Sequence, residues 1–220
     1  MKLRWNVIIG CACVLAACGG SQTLTYRMSI NAPDSSKAMT LIQASEHMVT
    51  RRLAAASVQD PRVAAIPEGT GSAVLTLKLS NADAVQAAER ILAEPFSFDI
   101  RLEKEKKAPA DNTEQSEWIP TNLTGTDIEW VEAVRDSEGN VAVELRFTTA
   151  GRAALSSIFS ANKGKNAGIF VRDLLVSKLK IPSEAMGDHV IISGIPSAKV
   201  AEIFADDVNV GLRVSFSPIH

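Results

Sequence analysis

The chain has 220 residues, a formal net charge of −2 and a hydrophobic content of 46%. A weakly acidic chain with scattered lysines and arginines has no electrostatic footprint for nucleic acid. Aromatic residues make up 5% of the chain, which is too few for a platform on which bases or sugars stack. The length suits one large domain or two small ones.

The first residues have the layout of a secretory signal peptide. Lys2 and Arg4 precede an apolar stretch from Val7 to Ala17, which is too short to span a bilayer. The stretch ends in Leu15-Ala16-Ala17-Cys18, which resembles the lipobox of bacterial lipoproteins. In that family a peptidase cuts before the cysteine, which then carries acyl chains. An ordinary signal peptide with a chance cysteine is the alternative.

Cleavage at this point predicts a signal peptide over residues 1–17 and an anchor and tether over residues 18–23, with lipidation at Cys18. Acyl chains such as palmitate on Cys18 attach the protein to a membrane of the bacterial envelope, facing the periplasm. Gly19 follows the cysteine instead of Asp, and the sorting rule of bacterial lipoproteins then favours the outer over the inner membrane. No disulfide is expected, because Cys18 is the single cysteine left after cleavage.

The next segment alternates strand and helix patterns. Apolar and polar residues alternate from Leu24 to Ile30, which predicts a strand. The later patterns predict, in chain order, a helix at Lys37–Ala56, strands at Arg62–Ile66 and Ala73–Leu79, a helix at Ala82–Ala93 capped by Asn81, and a strand at Phe96–Leu102. The order β-α-β-β-α-β is that of the ferredoxin-like fold. We therefore predict a ferredoxin-like base subdomain over residues 24–103, closed by the strand at Phe96–Leu102.

Residues 104–117 are dominated by charged and amide side chains. Such a stretch buries too little apolar surface to offset the entropy of ordering it. It is interpreted as a polar linker, with a charged docking segment as the alternative.

The segment from residue 118 to 220 predicts a second α+β unit. Its elements are two strands around the turn Asp136–Asn140, a helix capped by Thr148 or Thr149, strands near Gly168–Val171 and His189–Ser193, a helix capped by Ser197, and a last strand ending near Phe216. The predicted fold class is thus α+β with two lobes, a ferredoxin-like base and an α+β sandwich head.

Several stretches of the second half resemble one known family. Leu123–Ile128, Val143–Gly151 and Ile191–Gly194 are similar, in order and spacing, to the head of the first periplasmic domain of SecD. The helix ending in Arg51-Arg52-Leu53, followed by Asp60-Pro61, is similar to the base of that domain. SecD is a membrane subunit that assists protein export beside the Sec channel. The chain resembles this base plus head as a stand-alone lipoprotein.

The sequence does not point to catalysis or to a cofactor. Asp188, His189 and Ser193 contain the residue types of a hydrolase triad, but adjacent side chains on a strand point to opposite faces. No His, Cys and acid set has metal-ligand spacing. We therefore expect a protein that is not an enzyme, with no metal and no cofactor.

The resemblance implies a lipid-anchored periplasmic accessory protein in protein export. Its partners are expected to be the membrane, through the acyl chains on Cys18, and either exported polypeptide or components of the Sec translocon. No apolar run after the leader reaches spanning length, so no proton-driven motor activity is expected. A cleft between the two lobes is the expected binding region. The alternative is a structural envelope lipoprotein that retains the fold without the export role.

Overall fold

The computed structural model describes residues 21–69, 71–104, 117–182 and 189–219, and it has the predicted α+β fold. Cys18, the predicted signal peptide and most of the predicted linker lie outside these ranges. Within them, no helix is both long and apolar enough to span a membrane. The elements in chain order are β1 (Gln22–Ile30), α1 (Ser35–Ala55), β2 (Arg62–Pro67), β3 (Ser72–Leu79), α2 (Ala82–Ala93), β4 (Phe98–Glu103), β5 (Trp118–Thr124), β6 (Ile128–Arg135), β7 (Val141–Phe147), α3 (Thr149–Ala161), β8 (Asn166–Val171), β9 (Leu174–Lys180), β10 (His189–Ile192), α4 (Ala198–Arg213) and β11 (Val214–Pro218).

The base is an antiparallel sheet of order β11-β1-β3-β2, which is the ferredoxin-like order. The prediction that Phe96–Leu102 closes this sheet is wrong, because β4 pairs with β5 and β8, and β11 takes the closing position. Phe98 is buried in the core of the head, whereas Phe216 packs against the core of the base. The base therefore does not end at residue 103, and the head is inserted between α2 and β11.

The base core lies between the inner face of this sheet and the helices. Met28, Leu75 and Leu77 alternate with more exposed residues along β1 and β3, and they are fully buried with Leu41 and Leu53 of α1. The alternation places one face of each strand in the core. The four helices each begin at a side chain that accepts a hydrogen bond from the backbone N–H three residues later; these caps are Asp34, Asn81, Thr148 and Ser197.

The head contains two antiparallel sheets, of order β5-β4-β8-β9 and β10-β7-β6. Their inner faces enclose a second core, in which Ile100, Leu145, Phe147 and Ile169 are fully buried together with Leu155 of α3. The sequence patterns did not predict β5 and β9. Neither alternates cleanly, since β5 contains a proline near its start and β9 opens with three consecutive apolar residues.

Helix α4 packs on both lobes. Asn209 Oδ1 accepts from the N–H of Val131 at 3.0 Å, and its Nδ2 donates to the Val131 carbonyl at 2.7 Å, so the side chain satisfies the outer edge of β6 in the head. The next residue, Val210, lies in the base core. Arg213 donates to the carbonyl oxygens of Asn31 in the base at 3.3 Å and of Ile128 in the head at 3.0 Å. One helix thus connects the two cores.

Candidate polypeptide-binding groove

The three-stranded sheet of the head has one buried face and one open face. Along β7 the buried residues Val143 and Leu145 alternate with Glu144 and Arg146, which point to the other side. The register pairs Glu144 with Ile191 of β10, and Ile191 is 36% exposed. A row of side chains that is half-buried to exposed therefore crosses the sheet on this face.

A groove of about 990 Å³ lies at the hairpin end of the open face. Apolar side chains from β6, β7, β10 and the loop before α4 line it, and charged side chains stand among them; the principal ones are Val134, Val141, Ile191, Ile195, Asp136, Glu144 and His189. This volume is at the upper end of the range of ligand sites in proteins. We refer to it as the head groove.

Strand β10 borders the head groove and is an outermost strand of its sheet. Among the described residues it pairs only with β7. The other edge of an outermost strand presents backbone N–H and C=O groups that can pair with an added extended chain. The head groove therefore combines apolar side-chain contacts with a strand edge, which are the two components of extended-peptide recognition.

The charges on the open face are paired with one another. Arg146 donates to Glu144 at 2.9 Å and lies 3.3 Å from Glu132, and the hydrogen bond to Glu144 raises the pKa of Arg146. His189 Nδ1 lies 3.8 Å from Glu144. Asp136 accepts from the backbone N–H of Asn140 at 2.9 Å, so it holds the hairpin turn. These contacts stabilise the groove walls.

The residues considered for catalysis are only partly brought together. His189 and Ser193 both line the head groove, whereas Asp188 lies outside the described residues. Over the described ranges, no group of three His, Cys, Asp or Glu side chains is placed to hold a metal ion. The predicted site residue Cys18 also lies outside those ranges, so its lipidation stays a prediction.

A second exposed strand edge, β9, differs from β10. Leu174 is 70% exposed and Leu175 46% exposed, but a bulge at Val176 interrupts the pairing with β8. Lys178 stands on the same strand, with its Nζ 2.8 Å from Glu103. Bulges and lysines are devices by which natural edge strands avoid added strands. The sequence patterns did not predict that β9 and β10 lie at sheet edges, because the edge position of a strand depends on which strands pair.

The cleft expected between the lobes is replaced by a packed junction. Arg51 forms an ion pair with Asp207 of α4 at 2.5 Å, and Trp130 of β6 is buried against the base core. A smaller cavity of about 310 Å³ lies at this junction. The head groove, and not an interlobe cleft, is the candidate site for an extended chain.

Comparison with known proteins agrees with this architecture. Residues 105–211 match the family model of the SecDF P1 head subdomain. No curated protein sequence matches the chain. A solved structure of SecDF, described as a translocon-associated membrane protein from Thermus thermophilus, is 17% identical with a TM-score of 0.54, covering 91% of this chain and 30% of that one.

Two further SecDF structures are similar at lower TM-scores. One, of a membrane component SecDF that enhances protein export, has 18% identity and a TM-score of 0.48, covering 90% of this chain and 99% of that chain. The other, SecDF in a super-membrane-facing form, has 17% identity and a TM-score of 0.49, covering 91% of this chain and 30% of that chain. The chain thus spans under a third of the two longer SecDF chains. The prediction of a SecD-like periplasmic domain is confirmed.

Proposed function

We propose that this protein is a lipid-anchored accessory factor of protein export, which binds segments of exported polypeptide in the head groove. The observation that carries the proposal is the SecDF P1 head match over residues 105–211, together with the groove that this head contains. The similar SecDF proteins are described as enhancing protein export and as associated with the translocon. We therefore also propose that the protein contacts components of the Sec translocon. The proposed role is binding, without enzymatic activity.

The groove chemistry suits a polypeptide whose sequence varies. Backbone pairing along β10 is independent of the side chains of the bound chain, and the apolar walls accept many side chains of moderate size. Arg135 lines the groove together with Asp136, Glu138 and Glu144, so charges of both signs stand along its walls. Such a surface retains an extended segment without selecting one sequence.

Membrane attachment through Cys18 is the second part of the proposal. Several acyl chains hold a protein stably, whereas one chain binds only marginally. Replacing Cys18 with Ser is expected to abolish incorporation of labelled palmitate and to release the protein from the membrane fraction. The matched control is Cys13→Ser, which changes a cysteine inside the predicted signal peptide. Equal labelling of both variants contradicts lipidation at Cys18.

A gene deletion separates the export role from a purely structural role in the envelope. Pulse-chase labelling of a secreted reporter is expected to show slower export in the deletion strain, with normal envelope permeability. Complementation with Ile191→Asp, in the head groove, is expected to fail, whereas Ile66→Asp, at an exposed position on β2, restores export. Normal export with a leaky envelope supports the structural alternative instead.

A further inference from the structure

A second pocket, away from the head groove, lies at the junction of the two lobes. It has a volume of about 310 Å³ and is enclosed by α1, α2, α4, β11 and the turn between β8 and β9. Most of its lining is apolar, including Met48, Ile91, Phe96 and Phe216. We call it the junction pocket. Two guanidinium groups also line it, from Arg52 of the base and Arg172 of the head.

The two guanidinium groups share one close carboxylate. Glu94 lies 3.6 Å from Arg52 and 3.2 Å from Arg172. Asp207 is 4.0 Å from Arg52, and its closer partner is Arg51. The positive charges that line the junction pocket therefore exceed the negative ones.

The hydrogen-bonding capacity of the pair is also incompletely used. Arg172 Nε is buried and has no hydrogen-bond partner among the residues that the structure describes. Its backbone is held, since the Arg172 N–H donates to the Ser97 carbonyl at 3.0 Å. Burial and the nearby Arg172 charge lower the pKa of Arg52. An added carboxylate between the two guanidinium groups offsets this repulsion.

We propose that the junction pocket binds a small monocarboxylate with an apolar body, whose carboxylate lies between Arg52 and Arg172. Guanidinium groups bind carboxylates through paired N–H donors, and the guanidinium groups of Arg52 and Arg172 both line the pocket. At about 30 Å³ per non-hydrogen atom, the pocket holds a molecule of roughly ten such atoms. A free medium-chain fatty acid has this chemistry, and so does the last residue of a polypeptide with a free carboxyl end. The site is independent of the head groove.

The first test is titration calorimetry of the purified full chain with octanoate and with octanamide, which matches it in size but lacks the charge. We expect octanoate to bind at least about tenfold more tightly than octanamide, because the neutral amide has one acceptor oxygen and forms no charge-assisted pair with a guanidinium group. This comparison uses the unaltered protein, so it tests whether binding requires the negative charge without the risk that a variant fails to fold. Equal affinities of the two probes, or no octanoate binding, overturn the proposal.

Variants then locate the site. Arg172→Met and Arg172→Lys are each expected to weaken octanoate binding at least about tenfold, since Lys keeps the charge but loses the paired donors. Arg51→Gln is the control, because it also removes an arginine charge near the lobe junction but Arg51 does not line the pocket. Affinity for octanoate that is unchanged in Arg172→Lys and Arg172→Met contradicts the assignment. Thermal unfolding without ligand establishes that each variant is folded.

A peptide arm distinguishes the two sources of the carboxylate. A hexapeptide ending in leucine is titrated with a free and with an amidated carboxyl end. Binding of the free peptide alone, lost in Arg172→Lys, assigns the pocket to a polypeptide end. Binding of octanoate without the peptide assigns it to a fatty acid. Failure of both acids in the junction pocket leaves the head-groove proposal intact, because that site shares none of these residues.

Discussion

The head and the base differ in how much of the chain each one needs. Every strand of the head lies within one continuous stretch, from β4 to β10. The base sheet, in contrast, is completed by β11, at the far end of the chain from its partner β1. Contacts between distant segments carry a larger loop-closure cost and form late in folding. The head can therefore assemble as an insertion, while the base is finished only by the last strand.

Helix α4 makes the two lobes depend on each other despite this difference. Its buried Ala201 and Ala205 belong to the head core, whereas Val210 belongs to the base core. The insertion is thus attached through packing and not only through the chain. Substitutions in α4 and removal of β11 should therefore show how far the stability of each lobe depends on the other.

Truncation after Arg213 is expected to have the largest effect, since it removes β11 and uncovers the β1 edge of the base. Phe216 pairs with the fully buried Met28, so the base core loses a wall as well as a strand. We expect amides of β1 and β3 to lose protection from hydrogen exchange, while those of β7 and β8 stay protected. Truncation after Pro218, which keeps the strand, is the control. Equal loss of protection in both lobes contradicts the distinction between them.

Asn209→Leu is expected to destabilise the protein by about 3 kcal/mol. The change leaves the buried N–H and C=O of Val131 without partners, and each lost partner costs about 1–3 kcal/mol. Denaturant unfolding followed by tryptophan fluorescence and by circular dichroism should then show two transitions, because β6 of the head loses its hydrogen bonds to α4. Asn140→Ala, in the exposed hairpin turn, is the control and should cost less than about 1 kcal/mol. A similar cost for both variants argues against α4 as the connection.

Asp206→Asn is expected to have the smallest effect, a modest stabilisation. Burial raises the pKa of Asp206, so the folded state holds its proton more tightly than the unfolded state. Stability is therefore lost as pH rises through the carboxyl range, and Asn removes this loss. The melting temperature of the variant should exceed that of the parent at about pH 7 and equal it at about pH 3, below the unfolded pKa. Glu202→Gln, on the exposed side of α4, should show no such gain.

The features that sequence predicted are the ones that depend on neighbouring residues. The caps at Asn81 and Ser197 satisfy helix N–H groups within three residues, so their signal is local. The prediction of the strand that closes the base sheet was wrong. Phe96–Leu102 and Val214–Phe216 show the same alternation of side chains, and only the pairing of distant strands determines which of them joins the base. Sequential strands are often neighbours, which favoured the nearer segment.

The candidate site was less predictable than the fold. Ile191 and Glu144 meet only because β10 pairs with β7. Both lie in stretches that resemble SecD, but such a stretch does not show which side chains meet across two strands. The Arg52 and Arg172 pair depends in the same way on the turn after β8 reaching the end of α1. The resemblance in the second half pointed to the SecD head, whose family model matches residues 105–211, since its stretches record the spacing of a fold. It did not identify the head groove, because the register of the strands determines which surface side chains lie next to one another.

Site-specific photocrosslinking in living cells tests whether exported polypeptide binds in the head groove. A photoreactive residue is placed at Ile191 in the head groove or at Ile66 on β2, both of which are exposed isoleucines on strands. We expect a polypeptide arrested during export to crosslink from position 191 and not from position 66. Equal crosslinking from both positions, or none from position 191, contradicts binding of exported polypeptide in the head groove.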